Sequence, residues 1–104
     1  MIVRTDEGDF PKWLFFIKSP SGKFEIDVRE SGDDKMYSVT TVMINGNNWG
    51  ATAYDAFGIN LYIKAHWKDD KTVVIETKKN MRVLTRHLQV QLLRDIIRIE
   101  YVEV

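Results

Sequence analysis

Apolar and polar side chains alternate along most of this chain. Phe24, Ile26 and Val28 alternate with charged residues, and the stretch from Ile59 to Trp67 repeats the pattern over a greater length. A period of two places apolar side chains on one face of a β-strand and polar side chains on the other. The pattern therefore predicts a chain built mainly of strands.

Turn residues interrupt this alternation at fairly even spacing. Groups of Gly, Pro, Asn, Asp and Ser recur along the chain, which is typical of a β-meander, a sandwich or a barrel. Asn45-Gly46 predicts a tight hairpin, because both residues tolerate the positive φ of a type I′ turn. Eight strands are predicted, at residues 12 to 18, 23 to 29, 35 to 45, 48 to 54, 59 to 67, 72 to 78, 82 to 92 and 96 to 103.

The segment from Met81 to Arg94 admits two interpretations. Leu84, Leu88 and Leu92 fall at helical spacing, and the segment has good helix propensity. The same leucines also share one phase of an alternating strand, and only Asn80 offers a helix N-cap. We predict a strand, with a helix as the alternative.

The predicted strands form an all-β domain over residues 1 to 104. A chain of 104 residues has room for one hydrophobic core. Eight antiparallel strands joined by short turns can close into an up-and-down barrel, which leaves no exposed edge, or can stack as two sheets. We predict the barrel, with the sandwich as the alternative. The same pattern fits a whole protein or a piece of a larger one.

Charge and composition exclude several classes of function. The 15 basic and 15 acidic residues cancel, so no overall field attracts nucleic acid. The absence of cysteine excludes a disulfide framework and thiolate chemistry, yet it fits a reducing or an oxidising compartment, so localisation stays open. The longest apolar run, Trp13 to Ile17, is shorter than the ~20 residues of a membrane helix. Residues 1 to 10 are too acidic for a signal peptide.

The sequence contains no recognisable catalytic motif. It has no G-x-S-x-G or S-x-x-K and no phosphate-binding glycine loop. His66 and His87 lie on different predicted strands, which argues against a metal site. Asp33-Asp34 and Asp69-Asp70 are typical of turns. We therefore predict no enzyme, no cofactor and no metal; an enzyme would have to rely on acid/base chemistry by Asp, Glu, His and Tyr.

Arg86 is the first candidate for a ligand-binding residue. It shares the apolar phase of Leu84 and Leu88, and a charge that faces a core needs a partner. One interpretation places it in a barrel cavity, where its planar guanidinium binds a carboxylate or phosphate. In the others it pairs with Glu76 or Glu100, or reaches solvent at a barrel end.

Aromatic residues provide the other candidates. Trp13, Trp67 and Tyr101 fall on apolar phases, where they either line a ligand pocket or fill the core of a small barrel. Trp49 follows the predicted Asn45-Gly46 turn and is expected at a barrel mouth, where an exposed aromatic side chain indicates contact with a partner. The candidate ligand-binding residues are Arg86, Trp67, Tyr101 and Trp13.

The second half of the chain, residues 58 to 103, resembles a known family. A strand ends in Ala65-His66-Trp67, an acidic turn follows at Asp69-Asp70, and Thr72 then precedes an apolar run. This order is similar to the C-terminal lipocalin-like β-barrel domain appended to some serine hydrolases of the β-lactamase-related group. The chain departs from that pattern at Leu93-Arg94-Asp95, where a Gly-Asp turn is usual. The resemblance carries over no catalytic residue, because the chemistry of such proteins belongs to their other domain.

Two functions are therefore expected. The first is a non-catalytic accessory or interaction domain that packs on a catalytic domain, as the resemblance implies. The second is a stand-alone binder of a small apolar or amphiphilic ligand inside a lipocalin-like or fatty-acid-binding-like barrel. In that case Arg86 is the anchor, and Trp67 and Tyr101 are walls.

Overall fold

The chain forms two β-sheets in a computed structural model that describes residues 12 to 32 and 38 to 104. The predicted all-β class is confirmed. Nine strands form where eight were predicted, and no helix occurs within the described ranges. The strands are β1 (Lys12–Lys18), β2 (Glu25–Ser31), β3 (Val39–Asn45), β4 (Gly50–Phe57), β5 (Ile63–Asp69), β6 (Thr72–Thr77), β7 (Val83–Arg86), β8 (Gln89–Leu92) and β9 (Asp95–Glu103).

The order of the strands differs from that of a simple meander. One sheet has the order β1-β2-β3-β4-β7 and is antiparallel, and the other has the order β5-β6-β9-β8. In the second sheet β6 and β9 run parallel, because the chain crosses to the other sheet and back between them. The predicted wholly antiparallel arrangement is therefore wrong for this pair.

The two sheets share one hydrophobic core. Ile26 and Val28 of β2 are fully buried, as are Val73 and Ile75 of β6 and Ile97 of β9. In the described part of the chain, β1 and β5 each pair with a single strand, so the sheets are not closed. The predicted barrel closure is absent there, and the arrangement is compatible with the sandwich alternative.

The predicted strand at residues 82 to 92 is divided between the two sheets. β7 pairs with β4 in the five-stranded sheet, and β8 pairs with β9 in the other. At the crossing, the His87 amide donates to the Ala53 carbonyl, and the Ile99 amide donates to the Leu88 carbonyl, each at 2.9 Å. Strand rather than helix is thus confirmed for this segment. The break was missed because alternation continues on both sides of it.

The hairpin between β3 and β4 turns two residues later than predicted. The Gly46 amide donates to the Trp49 carbonyl at 2.7 Å, so Asn47 and Asn48 form the tip. Asn48 has a positive φ of 67°, whereas the prediction placed positive φ at Asn45 and Gly46. The predicted Asn45-Gly46 turn is therefore wrong in position. Part of the predicted third strand, residues 35 to 37, and the Asp33-Asp34 turn lie outside the described residues.

Candidate functional site

Arg86 and Tyr101, two of the predicted ligand-binding residues, lie in contact. The Cζ atom of Arg86 is 4.4 Å from the centroid of the Tyr101 ring. Arg86 stands opposite buried Tyr54 in the β4–β7 pair, so it lies on the core-facing side of β7, as its phase predicted. Because β7 is an outer strand of its sheet, the arginine is nevertheless exposed.

The two carboxylates proposed as partners for Arg86 have other neighbours. Glu76 accepts a hydrogen bond from the Tyr62 hydroxyl, and Glu100 pairs with Lys68 at 3.4 Å. Within the described residues, Arg86 forms no ion pair. Of the three interpretations offered by the sequence, the structure shows an arginine that reaches solvent.

Tyr101 is held by its hydroxyl group. The hydroxyl oxygen lies within hydrogen-bonding distance of two backbone carbonyls, of His87 at 2.6 Å and of Ala53 at 3.1 Å, which share its single proton. Burial raises the pKa of Tyr101 well above its usual value, so the hydroxyl remains neutral. The ring also contacts the Tyr54 ring, with centroids 5.9 Å apart. Tyr101 therefore ties β9 to β4 and to the β7–β8 crossing.

Trp67 ties together the other side of the molecule. Its indole Nε1 donates to the Ile17 carbonyl at 2.9 Å, and its ring stacks on the Phe24 ring at 6.3 Å. The bond connects β5 of one sheet to β1 of the other, whereas Arg86 contacts β9. Trp67 and Arg86 are thus anchored to different parts of the fold.

Trp13 lies on the outer face of the five-stranded sheet. A β-bulge at Leu14 makes Trp13 the partner of Arg29, while Phe15 is the partner of buried Val28. The extra residue moves Trp13 off the core-facing phase predicted for it. Its side chain is 47% exposed.

The outer face around Trp13 combines aromatic and charged groups. The Cζ atom of Arg29 is 4.1 Å from the Trp13 ring centroid, and the Phe16 ring lies 6.0 Å from the same ring. Arg29 Nη2 donates to Asp27 Oδ2 at 3.0 Å, and Asp27 is almost fully buried. Phe16 is 53% exposed. We call Trp13, Phe16, Asp27 and Arg29 the aromatic face.

A second feature is a pocket between two hairpin turns, which we call the turn pocket. Its volume is about 520 Å³, within the range of small-molecule sites. The turn between β3 and β4 forms one side, and the turn between β8 and β9 forms the other. The lining residues are Lys23, Phe24, Gly46, Asn47, Trp49, Leu92, Leu93, Arg94 and Asp95.

The wall of the turn pocket is largely apolar. Phe24 and Leu92 are buried core residues that reach the pocket, while Trp49 and Leu93 are 55% and 58% exposed. Gly46 lies where a Cβ would touch both Phe24 and Leu92, at 3.5 Å from each. The pocket is thus a surface extension of the core.

The rim of the turn pocket carries an excess of positive charge. Lys23 and Arg94 line it, and Lys71 lies beside it. Asp95 is the acidic residue of the lining, and it accepts a hydrogen bond from Lys71 at 2.9 Å and pairs with Lys23 at 3.4 Å. The contact with Lys71, followed by that with Lys23, lowers the pKa of Asp95. Lys71 and Lys23 therefore share the Asp95 carboxylate, and Arg94 is a third cation of the rim.

The sequence anticipated one member of this pocket. Trp49 was expected to be exposed at a barrel mouth; it is exposed, although the described sheets do not close into a barrel. Lys23, Leu92, Leu93 and Arg94 were missed, because they come from segments far apart in the chain. One local signal was present: Leu93 is a large apolar residue within a turn.

The two histidines do not belong to a metal-binding cluster among the described residues. These contain no cluster of three or more His, Cys, Asp or Glu side chains arranged to hold a metal ion. His66 lies on β5 and His87 lies at the β7–β8 crossing, and both are exposed. Within the same residues there is no helix long and apolar enough to cross a membrane.

Comparison with protein-family models, with curated proteins and with solved structures found no match to this chain.

Proposed function

We propose that the chain is a non-catalytic interaction domain that binds a partner protein through the aromatic face. The observation that carries the proposal is the pair of exposed aromatic side chains, Trp13 and Phe16, beside the Arg29 guanidinium. Tryptophan and arginine are the residues most enriched at the energetic centres of protein interfaces. Neighbouring exposed aromatics are typical of such surfaces.

The position of the aromatic face supports this proposal. β1 is an outer strand of its sheet, and among the described strands it pairs only with β2. Trp67 occupies the Ile17 carbonyl of β1, and no described strand pairs with the rest of its other edge, so a partner segment can add hydrogen bonds there. Beneath the rings, Asp27 Oδ1 and Arg29 Nε are buried and have no hydrogen-bond partner in the described structure. Buried polar groups usually have a hydrogen-bond partner, so these two unpaired atoms make the aromatic face unusual for a surface that contacts only water.

The resemblance of residues 58 to 103 suggests the class of partner. It implies an accessory domain that packs on a serine hydrolase of the β-lactamase-related group, on the same polypeptide or on another. The proposal does not require a closed barrel, because the aromatic face belongs to one sheet alone. It assigns no catalytic role to any residue of this chain.

The experiment is capture of a serine hydrolase from cells of the source organism. The purified chain is immobilised, the lysate is labelled with a fluorophosphonate probe for active serine hydrolases, and the retained proteins are identified. We expect the wild-type chain to retain a labelled hydrolase. The double variant Trp13→Ala/Phe16→Ala should retain at least about tenfold less labelled hydrolase, since interface aromatics dominate affinity.

Trp49→Ala is the matched control, because Trp49 is about as exposed as Phe16 but lies outside the aromatic face. It should retain the hydrolase. The proposal is wrong if the wild-type chain retains no labelled protein, or if the double variant retains as much as the wild type. Circular dichroism of each variant verifies that it is folded.

The turn pocket favours a second candidate function, binding of a small apolar or amphiphilic ligand. Its size and apolar wall fit such a molecule. This site lies at the surface between two turns and is not lined by Arg86, Trp67, Tyr101 or Trp13. Native mass spectrometry of the chain purified from its host should show a retained small molecule that Trp49→Ala loses. If wild type and variant both carry none, this second function is not supported.

A further inference from the structure

We infer that the turn pocket binds a small amphiphile with one anionic head group, and that Arg94 is the principal contact for that head group. The inference deepens the second candidate function and rests on it. The apolar part of the ligand lies against Phe24, Trp49 and Leu92, and the anionic part lies at the rim.

The apolar contribution comes from side chains of two kinds. Phe24 and Leu92 are fixed by the core, so the floor of the pocket is preformed and its shape requires little reorganisation. Trp49 and Leu93 are exposed in the absence of a ligand, and covering them removes apolar surface from water. An apolar group therefore binds to a preformed surface, and its binding is favoured by the apolar area that it removes from water.

The charges of the rim decide which head group fits. Lys23 and Lys71 both approach Asp95, so these two cations share one carboxylate. Arg94 forms no ion pair with any carboxylate of the described structure. Its guanidinium is a planar fork of donors that matches a carboxylate, sulfate or phosphate group. A neutral head group cannot satisfy this charge, and a cationic one is repelled by it.

The backbone at the β8–β9 turn provides an independent indication. Leu93 has φ of 57°, a left-handed backbone conformation that is unfavourable for a large L-residue. Two-residue hairpin loops usually place Gly, Asn or Asp in such positions. Leucine here is unfavourable for the turn and leaves an apolar side chain exposed on the pocket wall. A ligand that covers this side chain accounts for both properties.

The test is an NMR titration of the intact chain with matched ligands. Octanoate supplies the anionic head group, octyl phosphate supplies a second anion, and octanamide is the neutral counterpart of octanoate. We expect octanoate and octyl phosphate to shift the backbone amide signals of Leu93 to Asp95. The affinity for octanamide should be at least about tenfold lower than that for octanoate, because octanamide lacks one charged hydrogen bond.

Three variants separate charge from shape. Arg94→Gln should weaken octanoate binding by about tenfold and leave octanamide binding unchanged. Asp95→Asn removes the competing carboxylate and should strengthen octanoate binding. Arg98→Gln is the matched control, because Arg98 is exposed and lies outside the pocket lining. It should behave as the wild type does.

The outcomes distinguish the inference from the function on which it rests. If octanamide binds as tightly as octanoate and Arg94→Gln has no effect, the anionic selectivity is wrong while ligand binding stands. If none of the three ligands shifts the Leu93 to Asp95 signals and no molecule is retained from the host, both are wrong. Vesicles of phosphatidylglycerol test the source of the head group. If the chain binds these vesicles and does not bind octanoate, the head group belongs to a lipid in a membrane surface and the inference of a free small ligand is wrong.

Discussion

The Arg86 guanidinium covers the Tyr101 ring, with its Cζ atom 4.4 Å from the ring centroid. The contact joins β7, an outer strand of the five-stranded sheet, to β9 of the other sheet. The Tyr101 hydroxyl adds two hydrogen-bond contacts to backbone carbonyls across the same boundary. Arg86 and Tyr101 thus cover one side of the core and link β7 to β9, two strands that do not pair with each other.

Replacement of Arg86 by alanine tests whether its contact with the Tyr101 ring stabilises the fold. The variant should lower the free energy of unfolding by about 0.5–1 kcal/mol, the usual range for an exposed cation–π contact. The measurement is urea denaturation followed by tryptophan fluorescence. Arg98→Ala, another exposed arginine, should have no such effect. Equal stability of the two variants would show that the contact with Tyr101 does not stabilise the fold.

The Tyr101 hydroxyl makes stability depend on alkaline pH. Burial raises its pKa in the folded chain above the ordinary value of about 10. The unfolded chain therefore loses this proton first as pH rises, so the stabilisation is complete below pH 10 and declines above it. Tyr101→Phe should reduce the decline. Urea denaturation of both proteins between pH 8 and 11 measures the difference, and parallel curves would contradict the assignment.

The indole of Trp67 should hold the edge of β1 against β5. Trp67→Phe removes the donor to the Ile17 carbonyl and should lower the free energy of unfolding by about 1 kcal/mol or more. Amide hydrogen exchange should become faster in β1 and remain unchanged in β9. Trp49→Phe is the control, because Trp49 is exposed and lies at the turn pocket. Unchanged exchange in β1 would show that the bond is not a stabilising link.

Leu93→Gly separates the stability of the β8–β9 turn from its function. Glycine adopts positive φ without the steric penalty of leucine, so the variant should be more stable by about 1 kcal/mol. It should bind octanoate more weakly, since it lacks the apolar side chain at the pocket. Thermal unfolding and NMR titration provide the two measurements. A less stable variant would indicate that Leu93 is needed by the fold itself.

Much of the strand content follows directly from local pattern. The predicted strand at residues 12 to 18 coincides with β1, and those predicted at 72 to 78 and 96 to 103 match β6 and β9 to within a residue. Alternation reports a strand reliably because adjacent side chains must point to opposite faces. The core-facing phase of Arg86 could be predicted for the same reason.

Local pattern fails where a single residue alters the register. The bulge at Leu14 moves Trp13 to the outer face, although the alternation of the sequence predicts the inner one. Asn48 takes the left-handed conformation that Gly46 can also adopt, so composition alone cannot locate the tip of that turn. The candidate site was affected most, because Trp13 became part of a surface rather than part of an interior.

The all-β class and the apolar face of most strands follow from the amino-acid sequence, because those properties depend on neighbouring residues. The three-dimensional fold was needed to show that residues 83 to 86 and 89 to 92 belong to different sheets and that β6 runs parallel to β9. It also assembled the turn pocket from three separated segments, around Phe24, Trp49 and Arg94. Strand pairing depends on contacts between residues distant in the chain, which a local period does not encode.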